Sequence, residues 1–164
     1  MEGVRPGAES DVDRLLELAR AMRAEFAEMR GGQMWTLREE GRAGNADNLF
    51  SVIAQMADGK SRVVVGTIDG AAMGFAIGVI DTLADGALLG VVTDLFVEEQ
   101  AREVGIGEAM LLDLTTFFAE HGCIGIDAVA LPGDRSTKNF FEEQGFKARL
   151  LQMHHTLEED SSGQ

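Results

Sequence analysis

The 164-residue chain contains no tyrosine, one cysteine, one tryptophan and two prolines. A lone Cys123 excludes an internal disulfide framework and a cysteine-based zinc site. Basic residues are scarce: 14 Lys and Arg stand against 28 Asp and Glu, a formal net charge of −14. A nucleic-acid binder needs a basic footprint, and an anionic membrane surface attracts basic segments. Neither partner is therefore expected. No apolar run approaches the ~20 residues of a spanning helix. Met1 to Ser10 lack the basic start and apolar stretch of a signal peptide. These absences leave a soluble, acidic domain, expected in the cytoplasm. With 45% hydrophobic residues, a chain of this length buries roughly 68–70% of its unfolded surface and needs no covalent staple.

The pattern that is present reads as alternating helices and strands. Ser10 is placed to cap a helix, and Val12, Leu15, Leu16, Ala19, Met22, Phe26 and Met29 recur at spacings of three and four, one apolar stripe. Gly31-Gly32 ends it. Thr36-Leu37-Arg38-Glu39 has the form of a capping box, and a further helix is predicted from Asp47 or Asn48 to Met56. Strands are predicted at 62–68, 71–80 and 87–97, with Asp69-Gly70 as a hairpin turn. A polar loop from Glu98 to Val104 precedes a helix from about Gly105 to Glu120, with Gly122 placed as its C-terminal cap. Then come a strand at 124–131, a short helix at 136–144 and a last strand at 146–157. Strand–helix–strand crossovers beside hairpins imply an α/β (α+β) domain with a mixed, mostly antiparallel central sheet flanked by helices. One domain is expected over 1–157, with an acidic, disordered tail over 158–164.

The chemistry concentrates at the third strand's end, Val97-Glu98-Glu99-Gln100-Ala101-Arg102-Glu103-Val104-Gly105-Ile106-Gly107. A strand ends, a loop follows, and a helix opens with two glycines. The first helical turn carries unpaired N–H groups and a partial positive charge, and glycine lets an anion approach that backbone. The spacing is neither a Walker A loop nor the dinucleotide fingerprint. Arg102-Glu103-Val104-Gly105-Ile106-Gly107 fits Arg/Gln-x-x-Gly-x-Gly/Ala, and on it the chain resembles the GCN5-related N-acetyltransferases, whose acyl-CoA loop has that form. Asp94-Leu95-Phe96-Val97 resembles the family's fourth strand, and Lys138-Asn139-Phe140-Phe141-Glu142-Glu143-Gln144-Gly145-Phe146 its closing helix. Val4-Arg5-Pro6 resembles its opening.

The resemblance implies the acyl-CoA N-acyltransferase fold and acetyl-CoA as cosubstrate, with no metal. It implies that N–H groups of Glu103, Val104, Gly105, Ile106 and Gly107 hold the diphosphate. Leu95, Phe96 and Val97 would line the pantetheine arm, with a neighbouring strand diverging at 128–131 to open a wedge. Arg102 and Lys138 would approach phosphates. Asp94 is the candidate catalytic carboxylate, as acceptor contact or water-mediated base. The acceptor, a small-molecule or protein amine, would enter between the N-terminal helices. Relatives often dimerise, so a homodimer is among the expected assemblies. The chain departs from the family at Phe141, where many relatives carry a tyrosine that protonates the leaving thiolate, and at Asp134 and Thr137, where asparagine and alanine are common. The missing phenol keeps a second reading open, a non-catalytic acyl-CoA-binding sensor or scaffold.

Blander alternatives stand beside these roles. Asp94 can be a strand residue satisfied by a loop N–H, and Arg102 can pair with local acids. Glu98 and Glu99 read as solvated loop charges, and Phe141 as packing beside the pantetheine or in the core. Met29, Met34 and Trp35 suit core packing as well as a substrate pocket. His154 and His155, adjacent on a predicted strand, face opposite sides and cannot share a metal.

Overall fold

The structure, a computed structural model, describes residues 1–38 and 40–158. Its centre is a five-stranded sheet in the order β1-β2-β3-β4-β5. The strands are β1 (Glu2–Pro6), β2 (Ser61–Ile68), β3 (Ala71–Thr82), β4 (Leu88–Val97) and β5 (Cys123–Ala128). The first four pair antiparallel, and β4 pairs with β5 in parallel. The helices are α1 (Val12–Ala27), α2 (Gly32–Leu37), α3 (Ala46–Ala54), α4 (Ile106–Glu120) and α5 (Arg135–Glu143). This is the mixed, mostly antiparallel sheet with flanking helices that the element order implied.

Two cores sandwich the sheet. On one face Leu15, Leu18 and Met22 of α1 and Leu49 and Val52 of α3 pack on Val63, Val65, Phe75, Ile77 and Phe96. On the other, Ile106, Met110, Leu114 and Phe118 of α4, with Phe141 of α5, pack on Val64, Ala76 and Val92. Helix α4 lies very close to the strands because glycines sit beneath it. A Cβ on Gly66 would fall 2.3 Å from Ile106 Cγ2, and one on Gly90 would fall 2.5 Å from Phe118 Cγ. This close seat fixes the start of α4 against the end of β4.

β4 contains a bulge. Ile77 pairs with Asp94 while Gly78 pairs with Val92, so Thr93 is the extra residue. A bulge reverses the facing order beyond it. Asp94 and Phe96 therefore point to the α1 face, while Leu95 and Val97 join the α4 core.

Three local readings are corrected. Ser10 does not cap α1. It lies in a 3-10 turn over Glu9–Asp11, and Asp11 instead accepts from the Ala8 N–H (2.9 Å) and from both terminal nitrogens of Arg5 (2.8 and 2.7 Å). The Thr36 to Glu39 motif starts no helix, because Thr36 falls inside α2; Gly31, at φ 87°, is that helix's N-cap, and Glu39 lies outside the described residues. The predicted last strand over 146–157 is absent: residues 146–158 form no regular element and pair with no strand. His154 and His155 are thus exposed on an irregular segment rather than on opposite strand faces. The tail reading over 158–164 falls, past Glu158, outside the described residues.

Candidate active site

β4 and β5 run paired only as far as Val92 opposite Ala128, where β5 ends. β4 continues to Val97, so among the described residues its last turn of strand has no neighbour on that edge. Parallel strands that part in this way leave backbone polar groups facing a cleft. The loop that follows begins with a 3-10 turn over Glu99–Ala101 and reaches α4 through two left-handed residues, Glu103 at φ 71° and Gly105 at φ 87°. Left-handed backbone is unfavourable for glutamate, and alternation of this kind aims successive N–H groups into one concavity. Ala101 N–H bonds Glu98 O, and Ala109 N–H bonds Gly105 O. Between them, among the described residues, no protein acceptor meets the N–H groups from Glu103 through Glu108. A Cβ at Gly105 would meet nothing within 4 Å, and one at Gly107 would meet only Phe140 at 3.7 Å and Val97 at 3.8 Å. The loop is an open cradle of amides at the positive end of a 15-residue helix.

The side chains assigned to that cradle are placed differently. Arg102 lies on the α1 face of β4. Its Nε donates to Val97 O at 2.8 Å, its terminal nitrogen meets both carboxylate oxygens of Glu25 at 2.8 and 2.9 Å, and its guanidinium lies 5.5 Å from the Phe96 ring centre. Lys138 is exposed and paired with Glu142 at 2.5 Å. The amides, not fixed cations, are thus the loop's main resource for an anion. Glu98 is held by Arg14 at 3.2 Å.

Phe141 is buried, with Phe146 5.1 Å away and Phe140 5.5 Å away. Asp134 caps α5: it accepts from Thr137 N at 3.1 Å and from the Thr137 hydroxyl at 2.6 Å. The departures at Asp134 and Thr137 are therefore one device, in which the extra carboxylate serves as the cap of α5.

Asp94 is 3% exposed. Its Oδ1 accepts from Arg42 N–H and the Thr93 hydroxyl, both at 2.7 Å, and its Oδ2 from Ala43 N–H at 3.3 Å. Burial pushes its carboxyl above the ordinary range, and the Thr93 hydroxyl and the two loop amides partly offset this. Gly41, at φ 85°, is pressed so close that a Cβ would lie 2.7 Å from Oδ2. The loop between α2 and α3 is thus clamped onto β4, with Arg23 holding Ala43 O at 2.5 Å. No sequence motif marked residues 41–43 or Glu25 as partners of the site; both contacts are long-range.

Across the cleft, the turn between α1 and α2 touches the β5–α5 loop. Pro132 and Leu131 lie beside Gly31, and Arg30 N is 3.0 Å from where a Gly133 Cβ would sit. Trp35 packs on Phe26 with ring centres 5.0 Å apart, which assigns Trp35 to the margin of the α1 core. Among the described residues, no cluster of three metal-ligating side chains occurs, and no helix is long and apolar enough to cross a membrane.

Known structures share this architecture. A GCN5-related N-acetyltransferase from Ralstonia eutropha superposes with a TM-score of 0.71 at 18% identity, over 96% of this chain and 99% of that one. An aminoglycoside acetyltransferase from a soil metagenome, solved with sisomicin, gives 0.70 at 17% identity, over 96% and 97%. The glucosamine-6-phosphate N-acetyltransferase of Arabidopsis thaliana gives 0.69 at 16%, over 96% and 99%. At such identities the likeness establishes the fold. No curated protein matches this chain in sequence. The sequence model of the acetyltransferase (GNAT) family matches residues 15–146, a span that contains the parted strands, the amide cradle and the closing helix, and the chain belongs to that family.

Proposed function

We propose that the protein transfers an acetyl group from acetyl-CoA to a primary amine by direct attack in a ternary complex. The observation that carries this reading is the run of N–H groups from Glu103 to Glu108, unpaired among the described residues, beside the end of β4 that extends past β5. Such amides, with the helix dipole behind them, suit a diphosphate. The donor set fits CoA: amides for the diphosphate, the unpaired β4 edge for the amide groups of the pantetheine arm, and apolar Leu95, Val97 and Phe140 beside it.

The neutral amine nitrogen forms a bond to the thioester carbonyl carbon. The oxyanion that develops accepts from a backbone N–H of β4, and the C–S bond then breaks. The sulfur leaves with the bonding pair, as thiolate, because the chain has no tyrosine and Phe141 offers no proton. The surplus proton on nitrogen passes to a base. We assign that base to Asp94, supported by its place on β4 and by the burial that raises its affinity for a proton. The Thr93 hydroxyl, in contact with Oδ1, is the route by which a proton reaches it. Asp94 also has a second duty, holding residues 42–43 as a wall of the acceptor side. The aminoglycoside and glucosamine-6-phosphate acetyltransferases that share this fold make an amino sugar the first candidate acceptor, and the chain's acidic surplus favours the approach of a cationic one.

The test is thiol release: incubation with acetyl-CoA and a panel of aminosugars, polyamines and peptide amines, with free CoA followed over time. Turnover with any amine supports the transferase. CoA binding without turnover across the panel favours the sensor reading, for which the missing phenol is the specific observation.

A further inference from the structure

The amide cradle has a support that the acetyl-transfer chemistry does not use. Helix α1 grips the turn that feeds the cradle at both ends. At the start of the turn, Arg14 pairs with Glu98 at 3.2 Å while donating to Ala72 O of β3 at 3.1 and 2.9 Å. At its end, both carboxylate oxygens of Glu25 accept from an Arg102 terminal nitrogen, at 2.8 and 2.9 Å. Arg14 and Glu25 stand about three helical turns apart, so one helix spans the whole turn. Arg102 Nε donates to Val97 O, on the last residue of β4, at 2.8 Å. The arginine side chain thereby closes residues 97–102 into a ring. The next residue, Glu103, is the left-handed one, at φ 71°. That conformation is unfavourable for a glutamate and lasts only where its neighbours over-determine it. Glu25 thus holds, from another layer of the fold, the arginine that fixes the approach to Glu103.

We propose that Glu25 is a positioning residue: acting through Arg102, it keeps the amides from Glu103 onward in the geometry that receives the CoA diphosphate. The proposal rests on the acetyl-CoA reading above and adds to it a residue that works at one remove from the ligand. Because Arg102 is engaged, the loop offers ordered amides rather than a free cation. The affinity of such a site follows the fraction of molecules whose amides are already aimed. Coulomb's law alone gives the opposite sign. Glu25 is an acid beside a loop that receives a polyanion, so its removal would tighten binding by relieving repulsion. Positioning requires that its removal weaken binding. The two side chains are 41% and 35% exposed, and pairs of that kind add little to global stability. An effect on affinity is therefore separable from one on folding.

Calorimetric titration with CoA of the parent, Glu25→Gln, Arg102→Met and the double variant tests it. Each single variant is expected to bind about tenfold more weakly, as when about one molecule in ten keeps the competent loop, with its thermal melt unchanged. The double variant should match the single ones, because Glu25 acts through Arg102. Glu28→Gln removes the same charge from an exposed acid at the end of α1 and should leave the affinity as it is. In ¹⁵N–¹H spectra without ligand, Glu25→Gln should move the amides of Glu103 to Gly107. A Glu25→Gln protein that binds CoA as tightly as the parent, or more tightly, overturns the proposal. So do unmoved cradle amides, a double variant whose losses add, or an equal loss in Glu28→Gln. A parent that does not bind CoA refutes the acetyl-CoA reading together with this one, whereas a binding parent with an unaltered Glu25→Gln refutes this one alone.

Discussion

A substitution at Gly107 separates folding from anion binding. Gly107 is the second residue of α4, and its missing Cβ would touch Phe140 and Val97 only at 3.7 and 3.8 Å, ordinary contact distances. Alanine in a helix is favoured over glycine by roughly 0.8–1 kcal/mol in the interior, less in a first turn. Gly107→Ala is thus expected to leave the melting temperature unchanged or slightly raised. Gly107→Asp meets the same ordinary contacts at its Cβ and places acid at a helix start, which the dipole tolerates. What it alters is the field at the cradle. A carboxylate about 4–5 Å from a phosphate oxygen repels it by roughly 3–4 kcal/mol at an effective dielectric near 20. Screening in an open loop reduces this to about 2 kcal/mol, near a thirtyfold loss of affinity. Calorimetric titration with CoA reads it directly. Alanine should weaken binding less than tenfold, through steric approach alone, and aspartate about thirtyfold, with both proteins fully folded. An aspartate variant that binds CoA within threefold of the parent would refute the assignment of the diphosphate to these amides.

Asp94→Asn leaves an N–H pointing at the Ala43 N–H, and one lost buried acceptor costs about 1–3 kcal/mol. Thermal melting should drop accordingly, kcat should fall more than CoA affinity, and the acid limb of the kcat profile, set above the ordinary carboxylate range by the burial of Asp94, should disappear; a retained limb removes Asp94 from the proton transfer. Asp134→Ala removes the α5 cap and is expected to cost roughly 1 kcal/mol, read as a lower denaturant midpoint at unchanged slope. Arg5, beside Asp11, holds that carboxyl below its ordinary value. A depressed folded pKa contributes stability above the unfolded pKa and loses it as pH falls through the folded one, so Asp11→Asn should flatten the fall in stability below about pH 4; an unchanged acid profile would contradict the pairing.

The strands and the long helices were legible because their signals are local. The apolar stripe of α1, the Asp69-Gly70 turn and the glycines that open α4 each act within a few residues. The bulge at Thr93 was not legible, because it arises from pairing with β3 and leaves no mark in a short apolar run. The clamp of residues 42–43 on Asp94 and the capture of Arg102 by Glu25 join positions far apart in sequence. Side-chain destinations of this kind depend on how layers pack, whereas the amide cradle depends only on chain direction and two left-handed residues. For that reason Gly105 and Gly107 stand where the motif implied, while Arg102 and Lys138 are engaged by carboxylates. The segment over 146–157 shows the limit from the other side. It reads as a strand in sequence, yet it forms no regular element and pairs with no strand of the sheet.

Backbone resonances give the most direct view of the cradle. In a ¹⁵N–¹H titration with CoA, the amides of Glu103 through Glu108 should shift together and saturate with one dissociation constant, and desphospho fragments lacking the diphosphate should leave them in place. If CoA binds while those amides stay unmoved, the diphosphate is held elsewhere and the reading of the α4 entrance is wrong.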